Sequence, residues 1–144
     1  MKSESVPPGP SVLLALQRAT HITLQLLAAE LAELELTASE INALANLADD
    51  RGRTVSELGA AIGTRPTTLT SVLDRLERRG HITRGAVPGD RRAVLVGLTP
   101  SGRAAAAVIR RTLADLEQRA LSDLPPEAVS GFHTVLDSLT EGER

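Results

Sequence analysis

Apolar residues recur at steps of three and four through the first part of the chain, which is the spacing of a helix with one apolar face. The pattern extends from Ser11 to about Leu36 and predicts a long first helix. This helix has more apolar surface than one small domain needs. Residues 1–10 are rich in Pro, Ser and Gly, and we expect them to form a flexible N-terminal arm.

The pattern Thr-x-x-Glu occurs at residues 37–40 and 54–57, each time just before residues with helical spacing. In this capping box the Thr hydroxyl accepts a hydrogen bond from the third amide of the helix, and the Glu carboxylate reaches back to the Thr amide. Residues 37–40 therefore predict a second helix that runs to about Asp49, and residues 54–57 predict a short third helix. Gly63 stands where a left-handed helix cap belongs, and Pro66 suits the first position of a fourth helix.

The fourth helix is predicted to have one buried and one polar face. The buried stripe follows the i, i+3, i+4, i+7 spacing and consists of Leu69, Val72, Leu73 and Leu76. The polar face carries Arg65, Thr67, Thr68, Thr70, Ser71, Asp74, Arg75, Arg78 and Arg79. The third and fourth helices, joined by a turn at Gly63, predict a helix-turn-helix, the second helix of which enters the major groove of DNA.

A short hairpin follows the fourth helix. Residues 82–84 and 93–98 have the composition of strands, and the Pro-Gly-Asp sequence at 88–90 has the composition of a turn. Thr99 then precedes a proline and caps a long fifth helix. The two prolines at 125–126 interrupt that helix and begin the last one.

The expected fold is therefore mainly α with a small β-hairpin wing. A winged helix-turn-helix lobe is predicted at residues 37–99, between a helix at 11–36 and two C-terminal helices at 100–144. The helices at both ends have surplus apolar surface, which favours a two-fold dimer with these helices as its dimerisation elements.

Charge is distributed unevenly along the chain, although its formal net charge is only −2. Residues 51–103 hold ten Arg against four acidic residues, a net charge of +6, and the remainder carries −8. A basic middle between acidic ends suits a surface that binds a polyanion. A solvated Arg-rich face would show the same charge pattern, so charge alone leaves both interpretations open.

Small hydroxyl side chains at Thr67, Thr68, Thr70 and Ser71 would let the fourth helix approach DNA closely. Arg65 and Arg75 are long enough to reach guanine edges or phosphates. An ordinary solvent-facing helix could carry the same hydroxyls. Early in the third helix, the predicted phosphate contacts are Thr54 and Ser56.

The hairpin favours DNA binding, because its tip places two adjacent arginines beside a tight turn. Such a tip suits insertion of a cation into the narrow minor groove. The predicted wing residues are Arg84, Asp90, Arg91 and Arg92. Asp90 and Arg92 are close enough to pair, so we expect one of Arg91 and Arg92 to contact DNA and the other to brace the loop.

Residues 37–110 resemble the MarR (multiple antibiotic resistance regulator) family of winged-helix repressors. The resemblance rests on LGAAIG at 58–63, on LDRLERRGHITR at 73–84, and above all on DRRAVLVGLTPSG at 90–102. It implies a homodimer that reads an inverted repeat and that a small anionic or phenolic ligand can release. His21 on the first helix is a candidate for the effector pocket, although a lone helical His is more often a surface or interface residue.

Other functional classes find less support in the sequence. There is no cysteine, and His21, His81 and His133 are far apart, so neither a cysteine redox switch nor a metal site is expected. No nucleophile with a nearby base and no phosphate-binding Gly loop is present, so neither catalysis nor a cofactor is expected. We expect a cytoplasmic protein without a membrane-spanning segment. The main alternative is a winged helix that docks an acidic protein partner.

Overall fold

The computed structural model describes residues 9–141, in which six α-helices and a three-stranded antiparallel sheet follow the predicted order. The helices are α1 (Val12–Glu30), α2 (Ala38–Asn46), α3 (Val55–Ile62), α4 (Pro66–Arg78), α5 (Pro100–Leu121) and α6 (Pro126–Thr140). The strands are β1 (Arg53–Thr54), β2 (Ile82–Val87) and β3 (Asp90–Leu98). The predicted fold class, mainly α with a hairpin wing, is confirmed. Most of the predicted arm lies outside the described residues.

The chain divides into two compact units, one ending at Thr112 and the other beginning at Leu113. The first holds α1 to α4, the sheet and the start of α5; the second holds the rest of α5 and α6. This division does not test the predicted boundaries at residues 10, 36 and 99, which remain predictions.

The core of the first unit lies between α2, α3, α4 and the sheet. The predicted stripe of α4 is buried at all four positions. The same unit contains the fully buried side chains Leu44, Leu58, Ile82, Val96 and Ile109. Burial of each such aliphatic side chain stabilises the fold by roughly 1.5–3 kcal/mol, so this cluster holds the helix-turn-helix and the hairpin in one body.

α1 ends earlier than the apolar spacing predicts. The helix stops at Glu30 and is followed by a short 3-10 turn, Ala32–Leu34, and by Glu35 in a left-handed conformation with φ of +54°. The guanidinium of Arg79, at the end of α4, donates to the backbone carbonyls of Leu34 (3.0 Å) and Glu35. This contact between residues far apart in sequence stabilises the turn, and helical periodicity does not predict it.

The sheet is larger than the predicted hairpin. β1 pairs with β3 through Arg53 opposite Val96 and Thr54 opposite Leu95, giving the strand order β1-β3-β2. A strand of two residues is too short to show an alternation of apolar and polar positions, so only its pairing with β3 defines it.

The second helix is shorter than predicted, since it ends at Asn46 and not at Asp49.

By length and composition, α1 could cross a membrane. An 18-residue window of this helix has a mean hydropathy of 1.3, so the helix has the length and composition of a span, although the sequence analysis expected no membrane-spanning segment. Arg18 and His21 interrupt the run of apolar residues but do not lower its mean hydropathy below the range of a span. Length and composition are weak grounds for a membrane span, because helices of soluble proteins and signal sequences meet the same criterion.

α1 and α6 both carry large apolar side chains that are exposed. Within α1, Ile22 and Leu26 lie one turn apart and share a face. Within α6, Phe132, Val135 and Leu139 are exposed, and none of its residues is buried. Exposed apolar surface on two helices is typical of an interface with another molecule.

Candidate nucleic-acid interface

The turn between α3 and α4 has the geometry of a helix-turn-helix. Gly63 adopts a φ of +74°, and its N–H donates to the carbonyl of Gly59 (2.8 Å). Pro66 occupies the first position of α4, where a backbone N–H would have no acceptor within the helix. The local sequence signals for this turn are therefore confirmed.

The capping box predicted for α3 is present. The Thr54 hydroxyl accepts from the Glu57 N–H (3.1 Å), and the Glu57 carboxylate accepts from the Thr54 N–H (2.9 Å). The hydrogen bond from the Thr54 backbone, followed by the effect of the Thr54 side chain, lowers the pKa of the Glu57 carboxyl below its ordinary value. Ser56 is exposed in the first turn of the same helix.

The polar face of α4 divides into two sides. Thr67, Thr68, Ser71 and Arg75 line a shallow depression of about 430 Å³, together with Ser39 of α2. Thr70 lies on the other side and points its hydroxyl back to the carbonyl of Pro66 (2.9 Å). Arg65, the residue before α4, is exposed and makes no side-chain capping bond.

The wing contains a bulge that places its arginines outside the regular strand pairing. Ala86 lies opposite Val94, whereas Val87 lies opposite Asp90, so residues 91–93 are extra on β3. The Asp90 carboxylate accepts from the backbone N–H of Arg92 (3.0 Å). Asp90 therefore stiffens the turn through the backbone of Arg92, and the structure leaves both neighbouring guanidinium groups at exposed positions.

An open cleft of about 560 Å³ joins the start of α3, the outer side of α4 and the wing. The predicted site residues in its lining are Thr54, Ser56, Thr70, Arg84, Asp90 and Arg92. Sequence analysis had assigned these side chains to three separate elements. The structure brings them together on one surface, whereas Arg91 is not among the lining residues.

Arg84 ties the wing to α4. Its Nη2 donates to the carboxylates of Asp74 (2.8 Å) and Glu77 (2.6 Å), and its Nε donates to Glu77 (3.2 Å). The hydrogen bonds to Glu77 and then to Asp74 raise the pKa of the Arg84 guanidinium above its ordinary value. With its side chain 26% exposed and paired with two carboxylates, Arg84 is positioned to set the angle between β2 and α4.

Arg75 is held on α4 by two neighbours. Its Nη1 donates to the Ser71 hydroxyl one turn earlier (2.9 Å), and its Nε lies 3.7 Å from the Glu40 carboxylate of α2. Sequence analysis assigned Glu40 to helix capping only. Its place behind Arg75 depends on how α2 packs against α4, which local sequence spacing does not reveal.

His21 lies on an exposed part of α1, with its Nε2 within 3.3 Å of the Gln25 amide nitrogen. An apolar cavity of about 80 Å³ is lined by residues of α1, α2 and α4. Leu24 is in its lining on the α1 side, and His21 is not. The structure therefore places His21 apart from that cavity.

A capped helix pair, a recognition helix and a hairpin that completes one cleft define a winged helix-turn-helix protein. The model of the MarR family matches residues 34–93. The chain is 30% identical over 138 residues to the multiple antibiotic resistance protein MarR of Salmonella typhimurium, covering 95% of this chain and 93% of that protein. The chain belongs to the MarR family, as its sequence motifs indicated.

Two further comparisons extend this result. The HTH-type transcriptional regulator TtmR of Methylorubrum extorquens is 38% identical over 73 residues, which span 51% of this chain but only 37% of that protein. A solved structure of BpsR from Bordetella bronchiseptica is 26% identical, with a TM-score of 0.75, over 90% of this chain and 98% of that one. The structural similarity therefore extends well beyond residues 34–93, which the family model matches.

Proposed function

We propose that this chain is a sequence-specific DNA-binding transcriptional regulator, a repressor that acts as a homodimer on an inverted-repeat operator in the cytoplasm. The observation that carries the proposal is the cleft, where side chains from α3, α4 and the wing form one surface. That surface lies in the part of the sequence with a net charge of +6. The protein would act by binding and not by catalysis.

Each group of side chains would have a distinct task on the duplex. Thr54 and Ser56 are proposed to contact phosphates, because the amino end of a helix favours negative charge. Arg92 would enter the minor groove beside the wing. The side chains proposed to face the major groove are Arg65, Thr67, Thr68, Thr70, Ser71 and Arg75. Arg84 would act indirectly, by keeping the wing at its angle to α4.

A small anionic ligand is proposed to regulate DNA binding. The support is the similarity to BpsR, whose DNA binding is regulated by 6-hydroxynicotinic acid. The structure gives His21 an exposed position with Gln25 as its neighbour. The ligand proposal therefore depends on the family relationship and draws no support from the position of His21.

The salt dependence of duplex binding tests the central proposal. The probe is the inverted-repeat duplex that the protein selects from a randomised pool, and a shuffled duplex of equal composition is the control. If the dimer neutralises four or more phosphates, its affinity falls by about a hundredfold or more between 50 and 200 mM salt. Negligible binding, or binding that is insensitive to salt, would instead favour a winged helix that docks an acidic protein.

The homodimer is tested by Leu26→Glu, with Gln25→Glu as a control that adds the same charge at the next position. Leu26 is 47% exposed in the described chain and is proposed to be buried in the dimer. A two-fold interface contains each residue twice, so the loss of roughly 1.5–3 kcal/mol per side chain raises the dimer dissociation constant by about a hundredfold or more. Sedimentation velocity measures it. An equally stable dimer in both variants would place the interface elsewhere.

A further inference from the structure

Glu40, in the first turn of α2, is a charged side chain in an unusual place, the protein interior. It is 3% exposed, and it is the one charged residue among the buried side chains of the described chain. Removal of a carboxylate from water is costly unless a cation and hydrogen bonds compensate for it. Its burial therefore calls for a physical reason.

Helix capping accounts for only one of the two oxygens of the Glu40 carboxylate. Oε1 accepts from the Thr37 N–H (2.8 Å), and the Thr37 hydroxyl accepts from the Glu40 N–H (3.2 Å). The second capping box of the chain makes the same pair of bonds with Glu57, which is exposed. Since an exposed glutamate caps α3, capping alone does not account for the burial of Glu40.

The other oxygen, Oε2, faces Arg75 on α4. It lies 3.7 Å from the Arg75 Nε, an atom that is shielded from solvent and has no hydrogen-bond partner among the described residues. Ser71 accepts a hydrogen bond from the Nη1 of the same guanidinium (2.9 Å). Glu40 and Ser71 thus hold the inner part of Arg75, while 39% of its side chain remains exposed in the depression on α4.

We propose that Glu40 is a positioning residue for DNA recognition, which orders Arg75 before the duplex binds. The inference rests on the proposed function, because Arg75 reads base edges only if α4 enters the major groove. A free arginine loses rotamer freedom when it binds, and ordering it in advance reduces that loss. Since base-edge contacts need a defined geometry, the effect should appear in sequence discrimination more than in total affinity.

The test compares Glu40→Gln with Glu57→Gln in the full-length protein. Glutamine at this helix position keeps the capping box, and each variant removes one negative charge from one of the two boxes. Only Glu40→Gln removes the carboxylate behind Arg75. The ratio of affinities for the selected and shuffled duplexes is expected to fall about five- to tenfold in Glu40→Gln and to change less than twofold in Glu57→Gln.

A second readout needs no DNA. The protein is labelled with nitrogen-15 and measured without DNA, and the Nε–H signal of Arg75 is assigned by its loss in Arg75→Ala. We expect this hydrogen to exchange slowly with water, because the Nε atom is shielded from solvent. Exchange is expected to become about tenfold faster in Glu40→Gln and to stay unchanged in Glu57→Gln. In an Arg75→Ala background, Glu40→Gln should lower the discrimination ratio no further.

The possible outcomes separate the two proposals. Unchanged exchange in Glu40→Gln, or an equal effect in Glu57→Gln, would overturn the positioning role. So would a loss of discrimination that persists in the Arg75→Ala background. If the wild-type protein fails to distinguish the two duplexes, the proposed function fails, and the exchange measurement still decides whether Glu40 orders Arg75.

Discussion

Replacement of Arg92 by alanine is expected to weaken binding of the selected duplex by about a hundredfold or more. A hydrogen bond to a charged group contributes roughly 1.5–3 kcal/mol, and the proposed dimer has two wings. Arg92 lines the cleft shared with Thr54, Ser56 and Thr70, so its guanidinium is placed to reach the same duplex as those residues. The slope of log affinity against log salt should become shallower by about two, one phosphate-equivalent for each wing.

Arg91→Ala is the matched control, because it removes the same charge from the next position. Arg91 is exposed on the wing but is not among the residues that line the cleft. Its replacement should weaken binding clearly less than Arg92→Ala, and neither variant should change the dimer in sedimentation. A larger loss in Arg91→Ala would assign the DNA contact to Arg91. Unchanged affinity in both would remove the wing from the mechanism.

Gly102→Ala is expected to destabilise the fold by about 3 kcal/mol. A Cβ at position 102 would lie 1.9 Å from the backbone carbonyl oxygen of His81, so the first turn of α5 would have to move. That turn is fastened to the end of α4: the Thr99 hydroxyl donates to the Gly80 carbonyl (2.6 Å) and accepts from the Gly102 N–H (3.0 Å). Because the clash is between backbone atoms and a Cβ, no side-chain rotation relieves it.

Urea denaturation at a fixed protein concentration measures this loss, since the stability of a dimer depends on concentration. Gly85→Ala is the control, because a Cβ there meets nothing within 4 Å and its φ lies outside the left-handed region. We expect the control to stay within about 1 kcal/mol of wild type. If Gly102→Ala were as stable as Gly85→Ala, the close approach of α5 to His81 would be incorrect.

Local sequence signals predicted the elements that carry the site. The capping boxes at 37–40 and 54–57, the left-handed Gly63, and Pro66 at the start of α4 all have the predicted geometry. The capping boxes and the Gly63 cap depend on bonds between residues three or four positions apart, and Pro66 acts through its own missing N–H. The residues that decide these features therefore stand together in the sequence. The buried stripe of α4 is also predictable, because helical spacing places its four residues on one face.

Long-range contacts limited the other predictions. The first helix was predicted to extend to Leu36 but ends at Glu30, and Arg79 stabilises the turn that follows. β1 was missed because two residues have no periodicity.

The sequence by itself determined that this protein has a helix-turn-helix, a hairpin with adjacent arginines and a basic middle segment, because capping, turn and periodicity signals act within one turn of a helix or hairpin. Only the tertiary structure decided which side chains hold the arginines in place. Packing of β2 on α4 pairs Arg84 with Asp74 and Glu77, and packing of α2 on α4 buries Glu40 beside Arg75. Burial of apolar surface brings these elements together, so the spacing of charged residues along the chain does not predict the pairings.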